Sequence, residues 1–286
     1  MTGTGPVLAI FPHPDDETFT SAGTLAAAVA RGIPVTVISA TRGEAGESAI
    51  PDLDDPERLG EVRERELRDA MQQLGVTDVR FLGHRDSGME GSAEADHPRA
   101  FVRVPIDTIA IALATTIREL QPQAVVTFGP EGMYGHPDHL HMHHAAVRAV
   151  ALAADASHQT GSRSDPWQTP ALYFGTFPRE EMLKLLDRPG SPLEFMSEEA
   201  RNHVGVPLAE ITHVVDITPW ADTKLAAITA HVTQTGEGGP LQHIPPEAIE
   251  RQLHREYFVR ATLPWTASEG DGDDIISLLA AEHRAI

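Results

Sequence analysis

Two short polar stretches hold the side chains best suited to metal-assisted hydrolysis. The first is Phe11-Pro12-His13-Pro14-Asp15-Asp16-Glu17; the second runs Gly129-Pro130-Glu131-Gly132-Met133-Tyr134-Gly135-His136-Pro137-Asp138-His139. One histidine and two carboxylates within four residues is a costly grouping unless a cation neutralises it. His13 and Asp16 are three apart at an expected helix start, so their side chains can converge on one point. His139 opens a second expected helix after another parallel strand and can reach the same sheet edge. Two histidines and one carboxylate, with a position left for water, is the donor pattern of catalytic zinc sites. A metal held there lowers the pKa of its water from about 15.7 to about 7. Asp15, beside a ligand but not needed as one, is then available as general base. His136 and Asp138, two apart, are expected to pair, the carboxylate keeping the imidazole protonated to stabilise an oxyanion. Zn2+ is the first expectation, and the donors also accept Fe2+ or another divalent metal such as cobalt.

Neither stretch is decisive alone. Asp is common at helix N-caps, so the first turn also reads as a polar cap. His141, His143 and His144 crowd the second helix, and His143 shares a face with His139, so spacing leaves that ligand open.

The elements around these stretches read as alternating strands and helices. Val7–Phe11 is a short apolar run closed by proline, as in a buried strand, with an alanine-rich helix behind it over 18–31. Strands are expected over 34–40, 79–82, 124–128, 171–177, 213–217 and 257–261. Helices are expected over 58–74, 106–120, 137–154, 179–187 and 220–233. Gly75 is placed to cap the helix that ends at Leu74. Loops are expected over 187–197 and 236–246, and 270–274 reads as mobile. Glu44 and Glu47 fall in an acidic loop read as solvated, and His231 reads as a dipole partner at a helix end.

This alternation implies the α/β class, a Rossmann-like, mainly parallel sheet flanked by helices. Residues 1–160 form the metal-binding core, and 161–286 a C-terminal α+β extension that completes the sheet and pocket, most simply as one continuous domain. The first strand–helix turn is filled by His, Pro and Asp instead of Gly-x-Gly-x-x-Gly, which argues against a dinucleotide site.

Bulk composition narrows the partners. The 286 residues carry 22 basic and 42 acidic side chains, a net charge of −20, and no cysteine. Thiolate metal sites, disulfides and cysteine nucleophiles are excluded. A surface this acidic repels nucleic acid and anionic membranes. With no apolar run long enough for a leader or span, the sequence is expected to be cytoplasmic. A homo-oligomer is compatible with the sheet edges, but nothing in the sequence specifies one.

The pair His13-Pro14-Asp15-Asp16-Glu17 and His136-Pro137-Asp138-His139 resembles the signature of the PIG-L/LmbE-like N-acetylglucosaminyl deacetylases, within them the mycothiol-pathway deacetylase and amidase branch. The likeness runs over 7–154 and more loosely beyond. It implies metal ligation by His13, Asp16 and His139, Asp15 as base, His136 as oxyanion stabiliser and Asp138 as its partner. It also implies that Tyr134 assists at the carbonyl oxygen and that Arg63 and Asp86 hold sugar hydroxyls. Asp86-Ser87-Gly88-Met89 matches that branch closely. Pro12 departs from the usual alanine before the first histidine, and the aglycone side matches less well.

The expected function is therefore a zinc-dependent deacetylase acting on a small N-acyl glucosamine substrate. An amidase removing a larger acyl group keeps the same chemistry. A non-catalytic metal-binding module predicts a closed four-ligand site, and Asp15 would then have no role.

Overall fold

The computed structural model describes residues 5–161, 163–187, 201, 203–237, 246–265 and 274–284. In chain order the elements are β1 (Val7–Phe11), α1 (Asp16–Ala30), β2 (Val35–Ser39), α2 (Pro56–Leu74), β3 (Asp78–Phe81), α3 (Ile106–Leu120), β4 (Ala124–Phe128), α4 (Pro137–Ala154), β5 (Ala171–Thr176), α5 (Arg179–Leu186), β6 (His213–Asp216), α6 (Ala221–Ala230), α7 (Pro246–His254), β7 (Arg255–Arg260) and α8 (Ile275–Arg284).

The strands form one seven-stranded sheet in the order β3-β2-β1-β4-β5-β7-β6. The first five are parallel, and β7 pairs antiparallel with both β5 and β6. Strands from the second half thus extend the sheet begun by the first. Every residue of β1, β2 and β4 is buried, as a parallel sheet covered on both faces requires. The alternation of side chains divides the core: Val7, Ala9 and Phe11 join the cluster that holds Leu25, Leu67 and Ile276. Leu8 and Ile10 join the opposite cluster, with Ile109, Leu113 and Met142.

Local sequence sets the element ends. Asp55 caps α2 by accepting from the Arg58 N–H at 2.9 Å, with Pro56 in its first turn. Gly75 closes it at φ +76°, a conformation that suits a residue without Cβ.

Three differences from the sequence reading concern the C-terminal half. The helix expected over 220–233 breaks at His231 (φ −82°, ψ 64°), and a separate turn follows at Val232–Thr235. Helices α7 and α8 had no counterpart in the reading. The loop expectations over 188–197, 238–245 and 270–273 lie outside the described residues. Among the described residues no helix is long and apolar enough to cross a membrane.

Candidate active site

β1 and β4 are adjacent, and the chain leaves them toward opposite sides of the sheet, which opens a crevice at their carboxyl ends. The turn after β1 supplies His13, Asp15 and Asp16, and the stretch after β4 supplies Tyr134, His136, Asp138 and His139. The His13 N–H donates to Asp16 Oδ2 at 2.9 Å and ties the first turn together.

His13 Nδ1 lies 3.3 Å from Asp16 Oδ2 and 3.3 Å from His139 Nε2, and His139 Nε2 lies 3.4 Å from Asp16 Oδ1. Donors about 2.0–2.1 Å from a tetrahedral centre stand about 3.3–3.4 Å apart; the two histidine nitrogens have that spacing, and the Asp16 carboxylate offers each of them one oxygen at the same range. Two other groups also pass through His13: one with His136 and His139, one with Asp86 and Asp138. Each is also close enough to share a cation, and the second meets His13 through Nε2, the nitrogen that faces away from Asp16 and His139.

The second nitrogen of each ring is committed elsewhere, which directs the first toward the site. His139 Nδ1 donates to the Gly132 carbonyl at 3.1 Å, and its ring stacks on Phe128 at 4.2 Å. Gly132 sits at φ +60°, and a Cβ there would meet Leu140 at 2.9 Å. His13 Nε2 faces Asp138 Oδ2 at 3.2 Å and Asp86 Oδ1 at 3.4 Å. Metal-binding histidines are commonly held in this way, the ring N–H anchored to a carbonyl or carboxylate.

Asp138 is therefore not the partner of the His136 ring that the sequence suggested. Its carboxylate takes His13 and the Ser87 N–H (3.0 Å). His136 Nδ1 instead accepts the Asp138 backbone N–H at 3.1 Å and caps α4. The cause is local: the first turn of a helix has unpaired amides, and the residue before Pro137 is the one that can reach them. With Nδ1 accepting, the proton of a neutral ring sits on Nε2. Burial, reinforced by the charge on His13, pulls the His136 pKa down to about 4, so the ring is a neutral donor and not an imidazolium.

Burial opposes a charge on His13, but Asp86, Asp138 and Asp16 outweigh it and raise its pKa well above the usual value. His139, buried beside that charge, is held neutral. Asp15 occupies a strained backbone position at φ +117°. Arg63 braces it, donating to Asp15 Oδ2 at 3.1 Å, the Pro14 carbonyl at 2.8 Å and the Gly43 carbonyl at 3.0 Å. Burial raises the Asp15 pKa to about 7 against the pull of Arg63, close to the working range of a general base.

Tyr134 is half-buried, its ring 4.9 Å from that of His139. It follows Met133, whose φ of +62° and ψ of −52° kink the chain. Burial and the nearby Asp16 raise its phenol pKa, so it stays protonated. Asp86 accepts the Gly88 and Ala45 N–H groups at 2.8 and 3.3 Å. Arg63 and Asp86 thus both face protein groups, with side chains 5% exposed.

Glu44 is buried, contrary to its reading as part of a solvated loop, and accepts the Asp86 N–H at 3.2 Å. His143 turns to the Phe128 carbonyl and His141 to that of Val104, each at 2.9 Å. His231 does stand at the end of α6, but fully buried and turned to α1: its Nε2 lies 3.2 Å from Thr18 Oγ1 and 3.6 Å from Glu17 Oε1. Glu66 was not singled out from sequence, yet it accepts both the N–H and the hydroxyl of Thr233, at 2.8 and 2.6 Å.

The model of the GlcNAc-PI de-N-acetylase (PIG-L) family matches residues 8–150. A 1D-myo-inositol 2-acetamido-2-deoxy-alpha-D-glucopyranoside deacetylase of Thermomonospora curvata is 38% identical over 280 residues, covering 93% of each chain. Among solved structures, the N,N'-diacetylchitobiose deacetylase of Pyrococcus horikoshii is similar with a TM-score of 0.61 at 20% identity, over 92% of this chain and 88% of that one. The 4-carboxy-2-hydroxymuconate hydratase of Pseudomonas putida reaches 0.63 at 19%, over 94% and 100%. A deacetylase and a hydratase on one architecture mean that these two likenesses speak for the fold alone.

Proposed function

The chain belongs to the PIG-L family of GlcNAc-PI de-N-acetylases, and from that membership we propose that it hydrolyses the N-acetyl group of a glucosaminyl-inositol-like substrate. The observation that carries this reading is the convergence of His13 Nδ1, His139 Nε2 and the Asp16 carboxylate at 3.3–3.4 Å beside Asp15. Those three residues would hold a divalent cation, Zn2+ by donor type, with Fe2+ as the alternative. Such a cation, when bound, supplies Lewis acidity to the acyl carbonyl and to a water.

The protein's own groups account for the proton movements. Asp15 takes the proton of the attacking water as its oxygen bonds to the acetyl carbon. Arg63 favours the ionised form of that carboxylate against the effect of burial and aims it. His136 donates its Nε2–H to the carbonyl oxygen as negative charge gathers there, and needs no prior protonation to do so. Tyr134, protonated and beside the His139 ring, is suited to the same oxygen. The C–N bond then breaks, the proton held by Asp15 passes to the nitrogen, and acetate and a free amine result. Asp86 and Arg63 would meet the sugar only through the narrow open edge of each side chain.

The test is release of amine and acetate from 1D-myo-inositol 2-acetamido-2-deoxy-α-D-glucopyranoside by metal-analysed protein. Stoichiometric release is expected. Protein that binds one equivalent of metal, yet frees no amine from this or any longer-chain N-acyl glucosaminide, would overturn the reading.

A further inference from the structure

Helix α1 carries Asp16 in its first turn and follows directly on Asp15, so its position sets both carboxylates. Apart from Phe19, every residue from Asp16 to Ala28 is buried, which leaves the helix almost no water-facing side. Its backbone is gripped from the C-terminal half by an ion pair. Lys224 Nζ of α6 lies 2.8 Å from Glu256 Oε1 of β7, with side chains 0% and 1% exposed.

Both members bond the middle of α1. Lys224 Nζ donates to the Phe19 carbonyl at 3.0 Å, while Glu256 accepts the Gly23 N–H at 2.8 Å and the Thr24 N–H at 2.9 Å. In a regular helix the Gly23 N–H points at the Phe19 carbonyl, four residues back. The pair therefore serves both ends of a single helical rung. Gly23 permits the approach of the C-terminal half: a Cβ there would lie 2.6 Å from the Ile217 side chain. The link to the site is short, because the Phe19 N–H donates to the Asp15 carbonyl at 3.2 Å. One turn earlier, Thr20 and Ser21 hydroxyls bond the Asp16 and Glu17 carbonyls at 2.8 and 2.9 Å.

Stability does not account for such a pair. Dehydrating two charges is costly, and apolar side chains of similar volume often replace a buried pair without loss. What apolar side chains cannot supply is three directional bonds to the backbone of α1. We propose that Lys224 and Glu256 are positioning residues, which fix the rotation and axial placement of α1 and so the placing of Asp15 and Asp16. The proposal rests on reading those two carboxylates as base and ligand.

The experiment compares wild type, Lys224→Met, Glu256→Gln and the double variant Lys224→Met/Glu256→Leu. For each, the thermal midpoint, the Zn2+ affinity by chelator competition, and kcat and KM for amine release are measured. The single Lys224→Met leaves a carboxylate buried without its counter-ion and is expected to lower the midpoint. The double variant removes both charges and is expected to regain most of it. Despite that recovery, its Zn2+ affinity should fall about 10-fold or more, as when a ligand loses its support. Its kcat should fall about 10-fold or more with KM little changed, as expected of misplaced catalytic groups. A double variant with wild-type stability, Zn2+ affinity and kcat would overturn the proposal and leave the pair a packing element. If the double variant does not fold, Glu256→Gln decides below its own midpoint: unchanged Zn2+ affinity and kcat in folded protein would equally overturn it. A wild type that frees no amine defeats the functional reading instead, while the Zn2+ comparison still decides the positioning.

Discussion

Asp138 Oδ2 and His13 Nε2, from segments 125 residues apart, are bonded at 3.2 Å. That bond settles which face of the His13 ring looks into the crevice. With Nε2–H given to a carboxylate, Nδ1 points at Asp16 and His139, where a bound cation would take the place of its proton. Asp138 would thereby orient a metal donor, and its backbone rather than its carboxylate engages His136.

Replacing Asp138 with alanine leaves His13 Nε2 without its nearest acceptor and the Ser87 N–H unpaired. Zn2+ affinity is expected to drop about 10–100-fold, the usual loss when a ligand's outer partner is removed. Chelator competition at fixed pH measures it, and an affinity equal to wild type would refute the orienting role.

Asp16 and His136 compete as the third donor beside His13 and His139. Asp16 stands 3.3–3.4 Å from both rings, while His136 Nδ1 is taken by the Asp138 N–H, so Asp16→Asn should abolish stoichiometric Zn2+ binding. His136→Ala should keep the metal and lose about 10²–10³-fold in kcat, the scale of a missing oxyanion donor. Metal analysis beside steady-state kinetics separates the two, and the opposite pattern would make the three histidines the metal site.

Asp15→Asn is expected to retain one equivalent of Zn2+ and to lose about 10²–10⁴-fold in kcat. Arg63→Met should also retain metal and lose about 10²-fold in kcat, because the strained Asp15 turn depends on that guanidinium. Metal-free protein on either substitution would show that these residues belong to the donor set.

Glu131 is buried, with Oε1 bonded to Thr176 at 3.0 Å and Oε2 without a hydrogen-bond partner among the described residues. Burial raises its pKa above the ordinary 4.5. A carboxyl raised in the folded state favours folding through its protonated form. That contribution is complete below about 4.5 and is lost as pH climbs through the folded value. Glu131→Gln should therefore gain thermal stability relative to wild type as pH rises from 4.5 to neutrality. Thermal midpoints of the metal-free proteins across that range check it, and a gap that narrows with rising pH contradicts it.

The fold and the two site stretches were legible because their signals are local. Val7–Phe11 and Ala124–Phe128 are apolar runs bounded by proline or glycine, and each is followed by histidine and carboxylate at helical spacing. What stayed hidden depends on contacts between distant segments. Nothing near Asp138 in the chain tells it to reach for His13. Arg63 sits on a highly charged helix, and only the folded chain turns it inward to Asp15. Glu44, His231 and the Lys224–Glu256 pair look like ordinary surface charges until the C-terminal half closes over α1. The helix over Ile275–Arg284 also follows an acidic, glycine-containing stretch that suggests a tail more than an element.

The split origin of the donors also bears on how the protein comes into being. His13 and His139 are 126 residues apart, and their meeting requires β1 and β4 to lie side by side. A nascent chain that has emerged only through β2 offers half a chelate, His13 with Asp16, and closing so long a loop is slow. A cation held by these residues would therefore be captured after the central pairing of the sheet instead of seeding it. Since its binding energy would act only on the folded state, such a cation would be a late-acting clamp, and its uptake during refolding would time the moment at which β1 and β4 join.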